Sequence, residues 1–220
     1  MLAYTAIPVG ILESNCYLLN DGGALALVDC GVFSRRVREA VAAQGGDLRL
    51  ILLTHGHFDH IQGVASAREA YPGAQVCIGA EDKGYLSGEE PAIPGRAMAR
   101  GNPVTPDRLL KDGDTLTLGE STLRVVATPG HTRGGVCFYR EPNEEEAKRG
   151  SPTAGGLLFT GDTLFYEEVG RADFPGGDWP TLKASVLRLY ELPGDCKVLP
   201  GHGPESSLAH ERAHNPHVKG

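Results

Sequence analysis

The stretch Leu50-Ile51-Leu52-Leu53-Thr54-His55-Gly56-His57-Phe58-Asp59-His60 decides how the rest of the chain is read. An apolar run of strand length stops at Thr54, and three imidazoles and a carboxylate then fall within six residues. With eight His and twelve Asp in 220 residues, composition alone produces an H-x-H-x-D-H string about once in two thousand such chains. A solvated turn with incidental histidines is therefore the weaker explanation. A metal-binding loop between a strand and a helix is the stronger one.

Upstream, residues 2–9, 15–20 and 24–29 read as strands, with Asp21-Gly22-Gly23 as a hairpin turn. Ser34 caps a helix with Val37, Ala40 and Val41 on one face, and Gly45-Gly46 stops it before the strand Leu48–Leu53. Downstream, Ile61, Val64, Ala65 and Arg68 have helical spacing up to Pro72-Gly73, and Gln75–Gly79 returns as a strand. Residues 81–106 carry four prolines and no sustained period. They read as a short helix and a surface excursion that either overhangs the site or simply connects.

Further on, Leu109–Gly119 and Ser121–Ala127 read as a hairpin-like pair, followed by strands over Gly135–Tyr139 and Leu157–Phe159. Residues 140–156 are polar and turn-rich and read as an exposed loop. Thr181 is the expected cap of a helix that turns Leu182, Val186 and Leu189 inward. Cys196–Leu199 is the last strand, with a short helix from about Ser206. Alternating strands and helices make this an α/β chain, and its length fits one domain over 1–220.

Four times an apolar strand breaks through small residues onto a ligand side chain: Leu53 to His55, Ala127 to His131, Phe159 to Asp162, and Leu199 to His202. Sheets gather such loops along one edge. The candidates are thus His55, His57, Asp59, His60, His131, Asp162 and His202, enough for two divalent ions. A shared carboxylate would hold them roughly 3.5–4 Å apart. The His-rich set suits zinc, and its carboxylates also suit iron or manganese. Asp29 is placed to orient a loop or a ligand imidazole. His210, His214 and His217 have helical spacing, but nothing beside them in sequence completes a site, so packing or exposed roles are expected.

Net charge is −7 with no long Lys or Arg run, so the footprint of a nucleic-acid binder is missing. No stretch reaches the length of a membrane span. Met1-Leu2-Ala3-Tyr4 lacks a signal-peptide pattern, and the expected compartment is the cytoplasm. The five cysteines are odd in number and never in a C-x-x-C pair, which favours reduced core thiols. Cys30, next to Asp29, has no His or Asn recognisably placed to make it a nucleophile. Oligomeric state is not written in the pattern.

H-x-H-x-D-H followed by separated His, Asp and His resembles the metallo-β-lactamase superfamily over nearly the whole chain. The resemblance implies an αββα sandwich, two mixed β-sheets flanked by helices with the metal site at one edge. It also implies His55, His57 and His131 on one ion, Asp59, His60 and His202 on the other, and Asp162 bridging. Dizinc β-lactamases usually carry Cys where Asp162 stands, and flavodiiron proteins carry Glu where His57 stands. Gly170-Arg171-Ala172-Asp173-Phe174 and His210-Glu211-Arg212 with Asn215-Pro216 are similar to the short glyoxalase II branch, whose members hydrolyse S-D-lactoylglutathione or related acyl-thiol thioesters. The C-terminal helical domain of longer glyoxalases is absent, and Arg133 stands where Pro is usual after His-Thr. A mono-iron persulfide dioxygenase is the rival, although Pro175 replaces the Gln expected there; a lactonase or other metallo-hydrolase follows.

The resemblance and the residues agree on chemistry. A bound divalent ion lowers the pKa of water from about 16 to near 7, making hydroxide available without a dedicated base. A thiolate, with a pKa around 8.5, leaves with little need for protonation. Asp59 and Asp162 are the carboxylates expected at the reacting centre. Arg171, Tyr166 and Arg133 are the candidate substrate contacts, although for Arg171 an internal pair with Asp173 is the weightier reading, since loop Arg-Asp pairs are common structural devices.

Overall fold

The computed structural model describes residues 1–91 and 102–220. Strands β1 (Ala3–Val9), β2 (Ser14–Asp21), β3 (Ala24–Val28), β4 (Asp47–Leu53), β5 (Gln75–Gly79) and β6 (Arg108–Leu110) form one sheet in that order. Its first three strands are antiparallel and the rest parallel. The second sheet contains β7 (Thr115–Leu118), β8 (Ser121–Ala127), β9 (Val136–Arg140), β10 (Leu157–Gly161), β13 (Lys197–Pro200) and β14 (Ser206–Ser207). Its order is β14-β13-β10-β9-β8-β7. Between β10 and β13 lies a small hairpin of β11 (Leu164–Phe165) and β12 (Glu168–Val169).

The helices are α1 (Arg35–Ala43), α2 (Phe58–Ile61), α3 (Val64–Ala70), α4 (Lys83–Ser87), α5 (Glu144–Lys148), α6 (Trp179–Tyr190) and α7 (Leu208–His214). Layering follows from the two-residue period of the strands. In β3, Leu25 and Leu27 point to a core shared with Val37 and Val41 of α1 and Val64 of α3. Ala26 and Val28 point the other way, where Leu50 and Leu52 of β4 meet Val125, Phe138 and Phe159 of the second sheet. On the far face of that sheet, Cys137, Tyr139 and Val198 pack with Val186 and Leu189 of α6 and Leu208 of α7. Helix, sheet, sheet, helix is the αββα order.

Several boundaries differ from the sequence expectations. Leu109–Gly119 is not one strand: Arg108–Leu110 pairs with β5 in the first sheet and Thr115–Leu118 pairs with β8 in the second. A turn at Lys111–Asp114, with Gly113 at φ 78°, moves the chain between sheets. The helical run from Ile61 to Arg68 breaks at Gly63, whose backbone N–H donates to the Cys30 carbonyl (2.8 Å). A Cβ there would lie 2.3 Å from the Phe33 nitrogen. Asp178, not Thr181, caps α6, accepting from the Thr181 N–H at 2.9 Å. The strand expected to be last starts at Lys197 and is followed by the short β14, after which Ser207 caps α7.

Residues 140–156 are not merely an exposed loop. Asn143 caps α5, whose first turn holds three glutamates, and Glu146 forms a buried ion pair with Arg140 (2.5 Å). In the 81–106 segment, a 3-10 turn (Ala80–Asp82) leads into α4; residues 92–101 of the expected excursion lie outside the described residues. All five cysteines are free and buried, Cys30 fully so. No helix among the described residues is long and apolar enough to cross a membrane.

Gly79, where β5 ends, has an ordinary φ of −56°. Its requirement is steric, because a Cβ would sit 1.9 Å from the Gly134 carbonyl oxygen. Gly79→Ala is expected to cost at least about 1–3 kcal/mol through this backbone clash. A denaturant titration reads it, and a midpoint equal to the parent's would show that the two backbones are free to separate.

Candidate metal centre

The strand ends that carry the candidate ligands are tied to one another both between the two sheets and within the second. The Val136 N–H donates to the Thr54 carbonyl (2.8 Å), and the Gly201 N–H donates to the Gly161 carbonyl (2.7 Å). Gly161, at φ 49°, lies so close to Thr54 that a Cβ would be 2.3 Å from its hydroxyl. All seven candidate ligands therefore meet, although they come from loops after β4, β8, β10 and β13.

They form three overlapping groups: His55, His57 and His131; His55, His60 and Asp162; Asp59, His60 and His202. Asp162 lies between the outer two. One of its oxygens is 3.4 Å from His60 Nε2, and the other is 3.5 Å from His131 Nε2 and 3.8 Å from His202 Nε2. His202 Nε2 is 3.1 Å from Asp59 Oδ2, and His57 Nδ1 is 2.9 Å from His131 Nε2.

Four imidazoles have their other ring nitrogen occupied. Thr54 Oγ1 stands 3.1 Å from His55 Nδ1, Asp29 Oδ2 2.9 Å from His60 Nδ1, the Arg171 carbonyl 2.7 Å from His131 Nδ1, and the Leu12 carbonyl 3.0 Å from His202 Nδ1. Such partners fix the ring and leave Nε2 free to ligate. Asp29 adopts φ 55° and also accepts from the Thr54 backbone and hydroxyl, both at 2.8 Å.

The donor set fits metal ions on an observation independent of sequence pattern. His55 Nε2, His57 Nε2 and Asp162 Oδ1 are buried with no hydrogen-bond partner, a costly arrangement for polar atoms unless something ligates them. Burial and then neighbouring His60 push His55 well below the usual histidine value, and burial with His131 beside it pushes His57 down to about 4. Both are neutral, ligand-ready imidazoles at pH 7. Burial alone would raise Asp162; His60, His55 and His131 outweigh it and hold the carboxyl well below its ordinary range.

The three candidate substrate contacts are placed differently. Arg171 makes a bidentate pair with Asp173 (2.7 and 2.6 Å) and lies 3.7 Å over the Phe174 ring, which is itself 5.9 Å from His57. Arg133 is exposed and runs alongside Gly176, as does the Tyr85 hydroxyl. Tyr166, at the tip of the β11–β12 hairpin, stacks on His210 of α7 (5.1 Å, 13°). His210 also pairs with Glu167, His214 stacks on His210, and His217 pairs with Glu168.

Tyr85 was not a sequence candidate, yet its ring lies 6.1 Å from His57. Asp82 and Asn15 were missed as well. Asp82 is completely buried against the histidine loops, and Asn15 holds the backbone on either side of His202. Neither belongs to a motif.

A sequence profile of the metallo-beta-lactamase superfamily matches residues 9–144 and 151–202. The chain belongs to the metallo-β-lactamase superfamily. Among its relatives in the superfamily is hydroxyacylglutathione hydrolase GloC of Haemophilus influenzae, 32% identical over 96% of this chain and 95% of that protein. The crystal structure of BLEG-1, a B3 metallo-beta-lactamase, is 33% identical, with a TM-score of 0.83 over 99% of this chain and all of that one. TTHA1623, crystallised in a di-iron-bound form, is 34% identical, with a TM-score of 0.81 over 97% of this chain and 100% of that one. Superfamily membership places the protein among mostly metal-dependent hydrolases.

Proposed function

We propose that the protein is a dinuclear metal-dependent thioester hydrolase of glyoxalase II type, acting on S-D-lactoylglutathione or a related acyl-thiol. The observation that carries this reading is Asp162, a half-buried carboxylate within 4.0 Å of imidazole nitrogens from both outer ligand groups. His55, His57 and His131 would hold one ion, Asp59, His60 and His202 the other, with Asp162 common to both. Zinc suits the imidazoles; the di-iron form of TTHA1623 makes iron the alternative. Ions held there would supply ionised water at neutral pH and Lewis-acid polarisation of a carbonyl.

The chain's own residues then set the shape around the reaction. Phe174 and Tyr85 set aromatic rings beside His57, apolar surface suited to an acyl group. Asp173 neutralises Arg171 where it lies on Phe174, so a substrate carboxylate would have to compete with that pair. A thiolate departs with little protonation, so no side-chain acid is needed for the leaving group. Similarity to the GloC hydrolase supports the same substrate class.

β-Lactam hydrolysis is a second reading, favoured by the likeness to BLEG-1. Metal analysis combined with a substrate panel separates the possibilities. Two ions per chain and cleavage of lactoylglutathione, abolished by chelation and restored by metal, is the expected result. Faster turnover of a β-lactam or a lactone would replace the thioester, and one iron with oxygen uptake on glutathione persulfide would replace the hydrolase.

A further inference from the structure

The ligands of the two outer groups are steadied by different parts of the molecule. Asp82 closes the 3-10 turn that follows β5 and is fully buried. Its Oδ2 accepts from the Gly56 N–H (2.9 Å) and the Thr132 hydroxyl (2.7 Å), and its Oδ1 accepts from the Gly134 N–H (2.7 Å). Gly56 lies between His55 and His57, while Thr132 and Gly134 follow His131. One carboxylate therefore bridges the His55/His57 loop and the His131 loop. Fit is tight, since a Cβ on Gly134 would lie 2.4 Å from the Asp82 nitrogen.

The other group is held from β2 and the turn before it. Asn15 donates its backbone N–H to the Gly201 carbonyl (2.7 Å) and its side-chain amide to the Pro200 and Gly203 carbonyls (3.0 Å each), on both sides of His202. Tyr17 donates its hydroxyl to the Pro200 carbonyl (2.7 Å), and Ser14 donates to the Asp59 carbonyl (2.6 Å). These contacts fix the backbone of Asp59 and His202. The three side-chain bonds of Asp82 reach only the His55/His57 and His131 loops.

Building on the two-ion reading above, we propose that Asp82 and Asn15 are positioning residues, each serving one ion. Asp82 sets the affinity of the His55/His57/His131 half-site, and Asn15 that of the Asp59/His60/His202 half-site. The two halves are then separately tunable although they share Asp162. Neither residue ligates; each acts through backbone groups next to ligands, and such partners commonly govern metal affinity by about 10–100-fold.

Isosteric changes test this. Asp82→Asn sets an amide N–H against a donor, and Asn15→Asp sets a carboxylate oxygen against two carbonyls, each without loss of volume. Each is combined with His202→Ala, which leaves the three-histidine half intact, and with His57→Ala, which leaves the other. Metal-free proteins are titrated with Zn2+ alone, and circular dichroism of the same samples reports the fold.

In the His202→Ala background, Asp82→Asn is expected to weaken Zn2+ binding about tenfold or more and Asn15→Asp less than about twofold. The order reverses in the His57→Ala background. If either isosteric variant does not fold, Thr132→Val and Tyr17→Phe, which each remove a single bond, make the same comparison with a smaller expected shift. Equal effects in both backgrounds, or none in either, would overturn the proposal. Uptake of a single ion by the parent protein would instead overturn the two-ion reading, and that result appears before any positioning variant is made.

Discussion

Asp162→Asn retains the fold but binds one ion per chain in place of two, and loses turnover by on the order of 100-fold or more. The substitution changes shape little and removes the negative charge from the centre of four imidazoles, His55, His60, His131 and His202, all within 4.0 Å of the carboxylate. In the parent, His60, His55 and His131 hold the carboxyl ionised against its burial. An amide is a poor metal bridge and its N–H would face the ring nitrogens, so the shared position fails first. Metal content by mass spectrometry, measured beside thioester turnover, reads both effects. A variant that keeps two ions and full activity would remove Asp162 from the shared position.

Asp29→Ala destabilises the protein by about 3–5 kcal/mol, lowering the thermal midpoint by about 6–20 °C at this chain length. Three buried donors lose their acceptor: the Thr54 N–H, the Thr54 hydroxyl and His60 Nδ1. Burial alone would push His60 down, but Asp162 and Asp29 outweigh it and hold the ring well above the ordinary histidine value. Removing Asp29 therefore also frees the ring that faces Asp162. The backbone adds to the loss, because Asp29 sits at φ 55°, a conformation Asp and Asn accept more readily than Ala. Asp29→Asn keeps that tolerance and one acceptor, so calorimetry should place it between parent and Ala. If Ala and Asn variants melt alike with the parent, the network is not holding the loop.

The order of the chain's information explains which features could be read in advance. Leu50–Leu53 running into His55-Gly56-His57-Phe58-Asp59-His60 announces a strand-end metal loop, because ligand types and apolar runs are both local signals. The meeting of His131, Asp162 and His202 with that loop is not local; the repeated strand-end breaks pointed to it, and the family resemblance supplied the assignment of ligands to ions. Gly63 looked like one more residue in a helical period; its close approach to Phe33, which divides α2 from α3, is a tertiary contact. The acidic run Glu144–Glu146 looked solvated, yet Asn143 is a cap in plain view and Arg140 supplies the buried partner.

Asp82 and Asn15 were invisible for a different reason. They hold carbonyls and N–H groups, which carry no sequence signature, and the Asn15 side chain bonds to residues 185 and 188 positions away. Arg171 shows the reverse case. Its motif offers both a substrate contact and an internal pair, and the weightier of the two, the pair with Asp173, is the contact found.

Crystals grown with Zn2+ and measured at the zinc absorption edge test the central claim most directly. The account predicts two anomalous peaks flanking the Asp162 carboxylate, one against His55, His57 and His131 and the other against Asp59, His60 and His202. A single peak, or zinc bound away from these seven side chains, would contradict it.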